Sequence, residues 1–175
     1  MAMHFGSVDL SALYGARVGP LPLTGPMEFV DSPLARAYFD RVRFELGVTI
    51  VPLDQAAEAL TGALERGEAV GIVADRNIVG RGSPATLFGA PVRLPIGPAM
   101  LSVQTGATLF LEAIERTGPG EWLGHTIALR PEPEAKRREA TRQILEQEAR
   151  AMERIIARAP EQWTTLFFSI GDDDE

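Results

Sequence analysis

A chain of 175 residues with 45% apolar and 23% charged side chains suits one globular domain with a real core, not a disordered segment. Its formal charge of −7 argues against a nucleic-acid binder, whose affinity rests on neutralising phosphates, and against broad electrostatic adhesion to anionic lipid. With no cysteine and only His4 and His125 as imidazoles, disulfides, thiolate metal sites and multi-histidine centres are excluded, and no apolar run reaches the roughly 18 residues of a membrane-crossing helix.

In chain order, Met1-Ala2-Met3-His4 lacks the basic and apolar regions of a signal peptide. Ser11 to Ala16 starts a helix that Gly19-Pro20-Leu21-Pro22 breaks. Asp31-Ser32-Pro33 is a helix-start signal, and Leu34, Tyr38, Val42 and Leu46 then recur every four residues until Gly47, which predicts an amphipathic helix. Val48 to Leu53 is β-branched and apolar, as a buried strand is. Asp54 caps a second helix with Ala57, Leu60 and Leu64 on one side, closed by Gly67, and Ala69 to Ala74 predicts another buried strand.

Asp75 to Pro91 is rich in glycine and proline and reads as a long functional or mobile loop. Gly97-Pro98 opens a helix to about Thr105. Thr108 to Ile114 and Leu123 to Leu129 read as strands joined by the Thr117-Gly118-Pro119-Gly120 turn. Lys136 to Ala159 is a long helix with Ile144, Leu145, Met152, Ile155 and Ile156 as its apolar stripe, stopped by Pro160. Alternating strands and helices predict an α/β layered domain over residues 1–170, followed by a solvated acidic tail at 171–175.

Four groups of residues carry chemistry. His4 and Asp9 are five positions apart, not a clean helical pair, although a turn entering a helix brings such residues together. A hydroxyl needs a base to become a nucleophile, histidine titrates near neutrality, and a carboxylate fixes its tautomer. Taken alone, H-x4-D is a weak pattern, and two neighbouring polar residues explain it as well. Asp75, at the end of a buried strand and followed by Arg76, Asn77, Gly80, Arg81 and Gly82, lies where α/β folds place ligands, with glycines that let backbone approach a substrate. An ordinary Asp–Arg turn is the alternative. Arg41 and Arg43 are able to clamp a phosphate or carboxylate, or simply to solvate a helix face. Ala159-Pro160-Glu161-Gln162-Trp163 is by itself a helix stop with an aromatic.

The order of these pieces resembles a family. His4-Phe5-Gly6-Ser7-Val8-Asp9 is similar to the H-x4-[DE] motif in its HFGNWE-like lipid A context. Arg43 with Gly47, Asp75-Arg76-Asn77 followed by Leu87-Phe88-Gly89, Gly97-Pro98-Ala99, and Pro160-Glu161-Gln162-Trp163 resemble that family's later motifs. The likeness runs from His4 to Trp163 and is closest in wording to the phosphatidylinositol mannoside acyltransferases. It implies a glycerolipid-acyltransferase-like layered domain with a mixed β-sheet flanked by helices.

The implied activity is that of an acyltransferase moving a fatty acyl group from acyl-CoA or acyl carrier protein to a glycolipid hydroxyl. His4 would be the base, oriented by Asp9 and supported by Asp75. Arg43, Arg76, Gly80, Phe88 and Gly89 would bind substrate. No metal or resident cofactor and no nucleic acid is expected. The implied location is peripheral, at the cytoplasmic face of the inner or plasma membrane, with this stretch soluble. Family members usually carry an N-terminal membrane helix and a strand leading into the histidine, so the chain reads as lacking both. Ser7-Val8 replaces Asn-Trp, and Leu87 replaces a phenylalanine. The alternatives are a lysophospholipid or glycerol-phosphate acyltransferase, an ester or thioester hydrolase, a metal-dependent phosphoesterase using Asp9, Asp75 and Glu28, and an inactive lipid-binding fragment.

Overall fold

The computed structural model of the chain describes residues 1–27, 32–77 and 82–164. In order, it contains β1 (Ala2–Gly6), α1 (Val8–Arg17), β2 (Leu23–Met27), α2 (Pro33–Leu46), β3 (Val48–Pro52), α3 (Ala56–Glu65), β4 (Ala69–Val70), β5 (Gly82–Leu87), β6 (Ala90–Pro95), α4 (Gly97–Thr105), β7 (Leu109–Gly118), β8 (Glu121–Leu129) and α5 (Arg137–Ile156). Contacts divide the chain into two compact units, Met1–Val8 with Val73–Glu175, and Asp9–Ile72. The α/β class expected from the sequence holds.

The Asp9–Ile72 unit is built on a parallel sheet of order β3-β2-β4. Parallel neighbours need crossover connections, and α2 and α3 supply them. Leu60 and Ala63 form the buried side of α3. Of the residues at that four-residue spacing on α2, Leu34 and Tyr38 are 83% and 63% exposed and Val42 is partly buried. The strand predicted over residues 69–74 divides. Ala69 and Val70 pair with β2, whereas Val73 bridges Ala2 and the Ala74 amide donates to the Ala2 carbonyl.

The other unit has a mixed sheet of order β1-β7-β8, with β1 parallel and β8 antiparallel to β7. α5 packs on β5, β7, β8 and α4. Its buried face includes Ile144, Leu145, Met152, Ile155 and Ile156, the stripe expected from helical period. Met3 and Phe5 of β1, Leu111 and Ala113 of β7 and Leu129 of β8 are buried as well.

The long loop expected over residues 75–91 is corrected: β5 and β6 form an antiparallel hairpin that begins inside it. Phe88 and Gly89 make its two-residue turn with φ of +51° and +81°, and positive φ at both central residues is what a tight hairpin favours. Phenylalanine is an uncommon occupant of such a position. The Phe88 amide donates to Glu153 of α5 at 2.6 Å, which ties the turn to the long helix.

Gly6 ends β1 with φ of +59°, and a Cβ there would lie 1.8 Å from the Ile114 carbonyl oxygen. Backbone is on both sides of that contact, so no rotamer change relieves it. Gly6→Ala is therefore expected to push β1 off β7, with a loss of several kcal/mol and about 10 °C or more in Tm. A melting curve within about 2 °C of the unchanged protein would show that this approach is not required.

Candidate active site

Alternation along β1 sends Met3 and Phe5 into the core and leaves His4 on the other side of the strand. The Val73–Ala74 segment runs beside β1 through its bonds to Ala2, which delivers Asp75 to His4. The His4 Nδ1 lies 2.7 Å from Asp75 Oδ1, and the His4 amide donates to Asp75 Oδ2 at 2.8 Å. The Trp163 indole N–H donates to the same Oδ2 at 3.0 Å. Asp75 is fully buried, while the His4 side chain is 32% exposed.

A carboxylate only accepts, so Nδ1 must carry the hydrogen in this pair. That tautomer leaves the Nε2 lone pair as the ring's basic site. Asp75 is fixed from both oxygens, one by the imidazole and the other by a backbone amide and an indole. A buried carboxylate with three donors holds a ring far more rigidly than an exposed one. Such an arrangement is chemically able to serve as a base and its orienter.

The residues after α5 complete the pair. Gln162 accepts from the Arg116 amide at 2.8 Å and donates to the Arg116 carbonyl at 2.9 Å, gripping β7 as a strand would. Phe5 and Trp163 form an antiparallel bridge, and the Thr164 amide donates to the His4 carbonyl at 2.8 Å. The Pro160-Glu161-Gln162-Trp163 stretch is thus more than a helix stop. Sequence reasoning missed Trp163 as a partner of Asp75; the available signal was an indole N–H, which seeks an acceptor when it packs inside.

The Nδ1 of His4, for which Asp9 was the expected orienter, is bonded to Asp75. Asp9 is exposed in the first turn of α1 and belongs to the Asp9–Ile72 unit. Arg43 also belongs to that unit, in α2, and its side chain is outside the described residues. Gly80 is outside them too, as are Arg81 and Glu28. Arg76 directly follows Asp75 and is partly buried, and Phe88 and Gly89 form the turn tied to Glu153.

His125 is not the bare surface residue that its strand suggests. Its Nε2 lies 2.7 Å from Glu115 Oε2, which also accepts from Arg158 Nε at 2.7 Å. The Arg158 guanidinium, and after it His125, hold the Glu115 carboxyl below its ordinary titration range. This second histidine–carboxylate pair fastens β7, β8 and the residue two positions past α5 to one another.

Residues 1–167 match the family model described as bacterial lipid A biosynthesis acyltransferase. The chain is 37% identical over 110 residues to a phosphatidylinositol mannoside acyltransferase of Mycobacterium tuberculosis strain H37Rv, a match covering 61% of this chain and 34% of that protein. It is 33% identical over 112 residues to a protein of the same name from Mycolicibacterium smegmatis, covering 61% of this chain and 36% of the relative. The matched stretch thus spans about a third of the length of these curated relatives.

Proposed function

Because this chain belongs to the bacterial lipid A biosynthesis acyltransferase family, we propose that it carries the base of an acyl-transfer site, moving a fatty acyl group from a thioester to a glycolipid hydroxyl. The single observation that supports this most is the 2.7 Å bond between His4 Nδ1 and the buried Asp75. The donor is acyl-CoA or acyl carrier protein, and the acceptor is a glycolipid of the lipid A or phosphatidylinositol mannoside type. The names of the mycobacterial relatives favour the second. The domain is read as one glycerolipid-acyltransferase-like catalytic layer over residues 1–170. It works at the cytoplasmic membrane face with no metal or resident cofactor. Among the described residues no helix is long and apolar enough to cross a membrane.

The chemistry follows from the tautomer. His4 Nε2 removes the proton of the acceptor hydroxyl as its oxygen attacks the thioester carbonyl. Asp75 stabilises the imidazolium that forms, and Trp163 and the His4 amide keep Asp75 in place. Collapse of the tetrahedral intermediate breaks the carbon–sulfur bond, and the thiolate takes the proton from the imidazolium. The thioester is already activated, so proton removal and oxyanion stabilisation are the remaining demands. Asp9, Arg43, Arg76, Gly80, Phe88 and Gly89 enter this proposal on the resemblance of their motifs alone.

The test is product analysis with radiolabelled acyl-CoA, with and without a phosphatidylinositol mannoside acceptor. Label is expected in the glycolipid, with formation depending on the acceptor and surviving EDTA. Free fatty acid released at one rate regardless of acceptor would make the protein a thioesterase. No turnover of any acyl thioester by the folded chain would end the proposal.

A further inference from the structure

β1 stops at Gly6, opposite Ile114 of β7. The Glu112 amide donates to the Met1 carbonyl, and peptide groups along a strand point alternately to its two neighbours. Those of Arg116 therefore also turn toward the β1 side, beyond the last residue of that strand. The Gln162 side chain meets both of them: Oε1 accepts from the Arg116 amide at 2.8 Å, and Nε2 donates to the Arg116 carbonyl at 2.9 Å. A Cβ on Gly6 would lie 3.2 Å from that Oε1, so the side-chain amide sits directly after the end of β1, where the strand's next residue would have paired.

Pro160–Gln162 form one helical turn after α5, and Trp163 follows with no spacer. The Gln162 amide donates to the Ala159 carbonyl at 3.0 Å and the Trp163 amide to the Pro160 carbonyl at 3.2 Å, so a position fixed at Gln162 is passed to Trp163. The indole of Trp163 then reaches Asp75 Oδ2. At the other end of the same turn, Arg158 is bonded to Glu115, the residue before Arg116. The grip on Arg116 needs a donor and an acceptor at the reach of a glutamine. Glutamate has no donor for the carbonyl, asparagine is one methylene short, and an apolar side chain offers neither group.

We propose that Gln162 is a positioning residue for the base, acting through Trp163: its amide pins the turn after α5 to β7 and thereby sets the indole N–H on the oxygen of Asp75 that the His4 ring does not use. The ring is bonded to Oδ1 of a fully buried carboxylate, so the plane of that carboxyl group decides where the imidazole points. Of the two donors on Oδ2, the His4 amide belongs to the same residue as the ring, and the indole is the external reference. Without the indole, the carboxyl group turns more freely about its Cβ–Cγ bond and carries the ring with it. Catalysis is sensitive to such a displacement, because a base works only within hydrogen-bond reach of its proton. The kinetic part of this inference rests on the acyl-transfer reading, whereas the placement of the indole by Gln162 does not.

The chain has two tryptophans, so in a Trp122→Phe background the indole N–H signal belongs to Trp163. In NMR hydrogen exchange that proton is expected to be protected from solvent, and Gln162→Met is expected to remove the protection while circular dichroism stays native-like. Trp163→Phe keeps an aromatic ring and deletes the N–H. In acyl transfer, Gln162→Met and Trp163→Phe should each lower kcat roughly tenfold to a hundredfold, the span of one hydrogen bond to a charged group, with KM little changed. Because one residue acts through the other, the double variant should be no slower than the slower single, whereas independent effects would multiply. Gln162→Glu, which keeps the length and the acceptor, serves if Gln162→Met does not fold. An unprotected indole in the Trp122→Phe protein, or one still protected after a Gln162 substitution that folds, would overturn the inference. A normal kcat in that folded variant, or losses that multiply in the double, would do so as well. If the protection is seen and is lost in the variant but no protein transfers acyl groups, the placement stands and the acyltransferase reading falls.

Discussion

His4→Ala is expected to lower acyl transfer by roughly a hundredfold or more, the scale of losing a general base, while acyl-donor binding changes little. In the proposed mechanism, removing the imidazole leaves the acceptor hydroxyl with no base at the atom that must lose its proton. Circular dichroism should stay native-like, because His4 faces away from the core side of β1 that Met3 and Phe5 occupy. Asp75→Asn is the sharper companion. An amide has similar shape but presents one acceptor where the carboxylate serves three donors, so either the ring turns to the wrong tautomer or a neighbour loses its partner. A fall of roughly 10²- to 10⁴-fold is expected by analogy with hydrolase triads. Radiometric transfer assays check both variants. Near-normal turnover by His4→Ala would remove this residue from the mechanism.

Ile155→Asp is expected to unfold or aggregate the protein. Ile155 is 2% exposed on the buried face of α5. Full burial of such a side chain contributes about 1.5–3 kcal/mol, and an unpartnered carboxylate in its place adds a desolvation cost of several more. Against a total stability of about 5–15 kcal/mol, that sum is decisive. Circular dichroism and thermal melting are the measurements. An unchanged Tm would mean that the phase of α5 is wrong. Substitution at Arg154, one position away, offers the contrast, since that residue is exposed.

Elements with strong local rules were legible in the sequence. The stripe from Ile144 to Ile156 repeats at helical period, and the Thr117-Gly118-Pro119-Gly120 turn lies between two apolar strands. Elements whose residues carry the opposite local signal were not. β2 reads Leu-Thr-Gly-Pro-Met, and β5 and β6 carry Pro84, Pro91 and Pro95, so a loop was the natural reading of the hairpin. At the candidate site, His4 and Asp75 were each visible from strand ends and motif order. Their direct bond was not, because it spans 71 positions and depends on Val73 lying beside Ala2. H-x4-D directed attention to Asp9 for want of that tertiary fact.

The pairing of β1 has a consequence for biosynthesis. The strand bearing His4 leaves the ribosome before all of its partners, which are the segment at Val73–Ala74, β7, and Trp163 with Thr164. The edge beside His4 closes only after Thr164, 160 positions further on, has emerged. β1 thus waits through that stretch of synthesis with Met3 and Phe5 uncovered, whereas the crossover unit of residues 9–72 has all its own strands much earlier. Such distant closures are slow, and apolar strands left waiting are exposed to mispairing. Ribosome-stalled chains ending before Trp163 are a natural place to look for chaperone capture of that first strand.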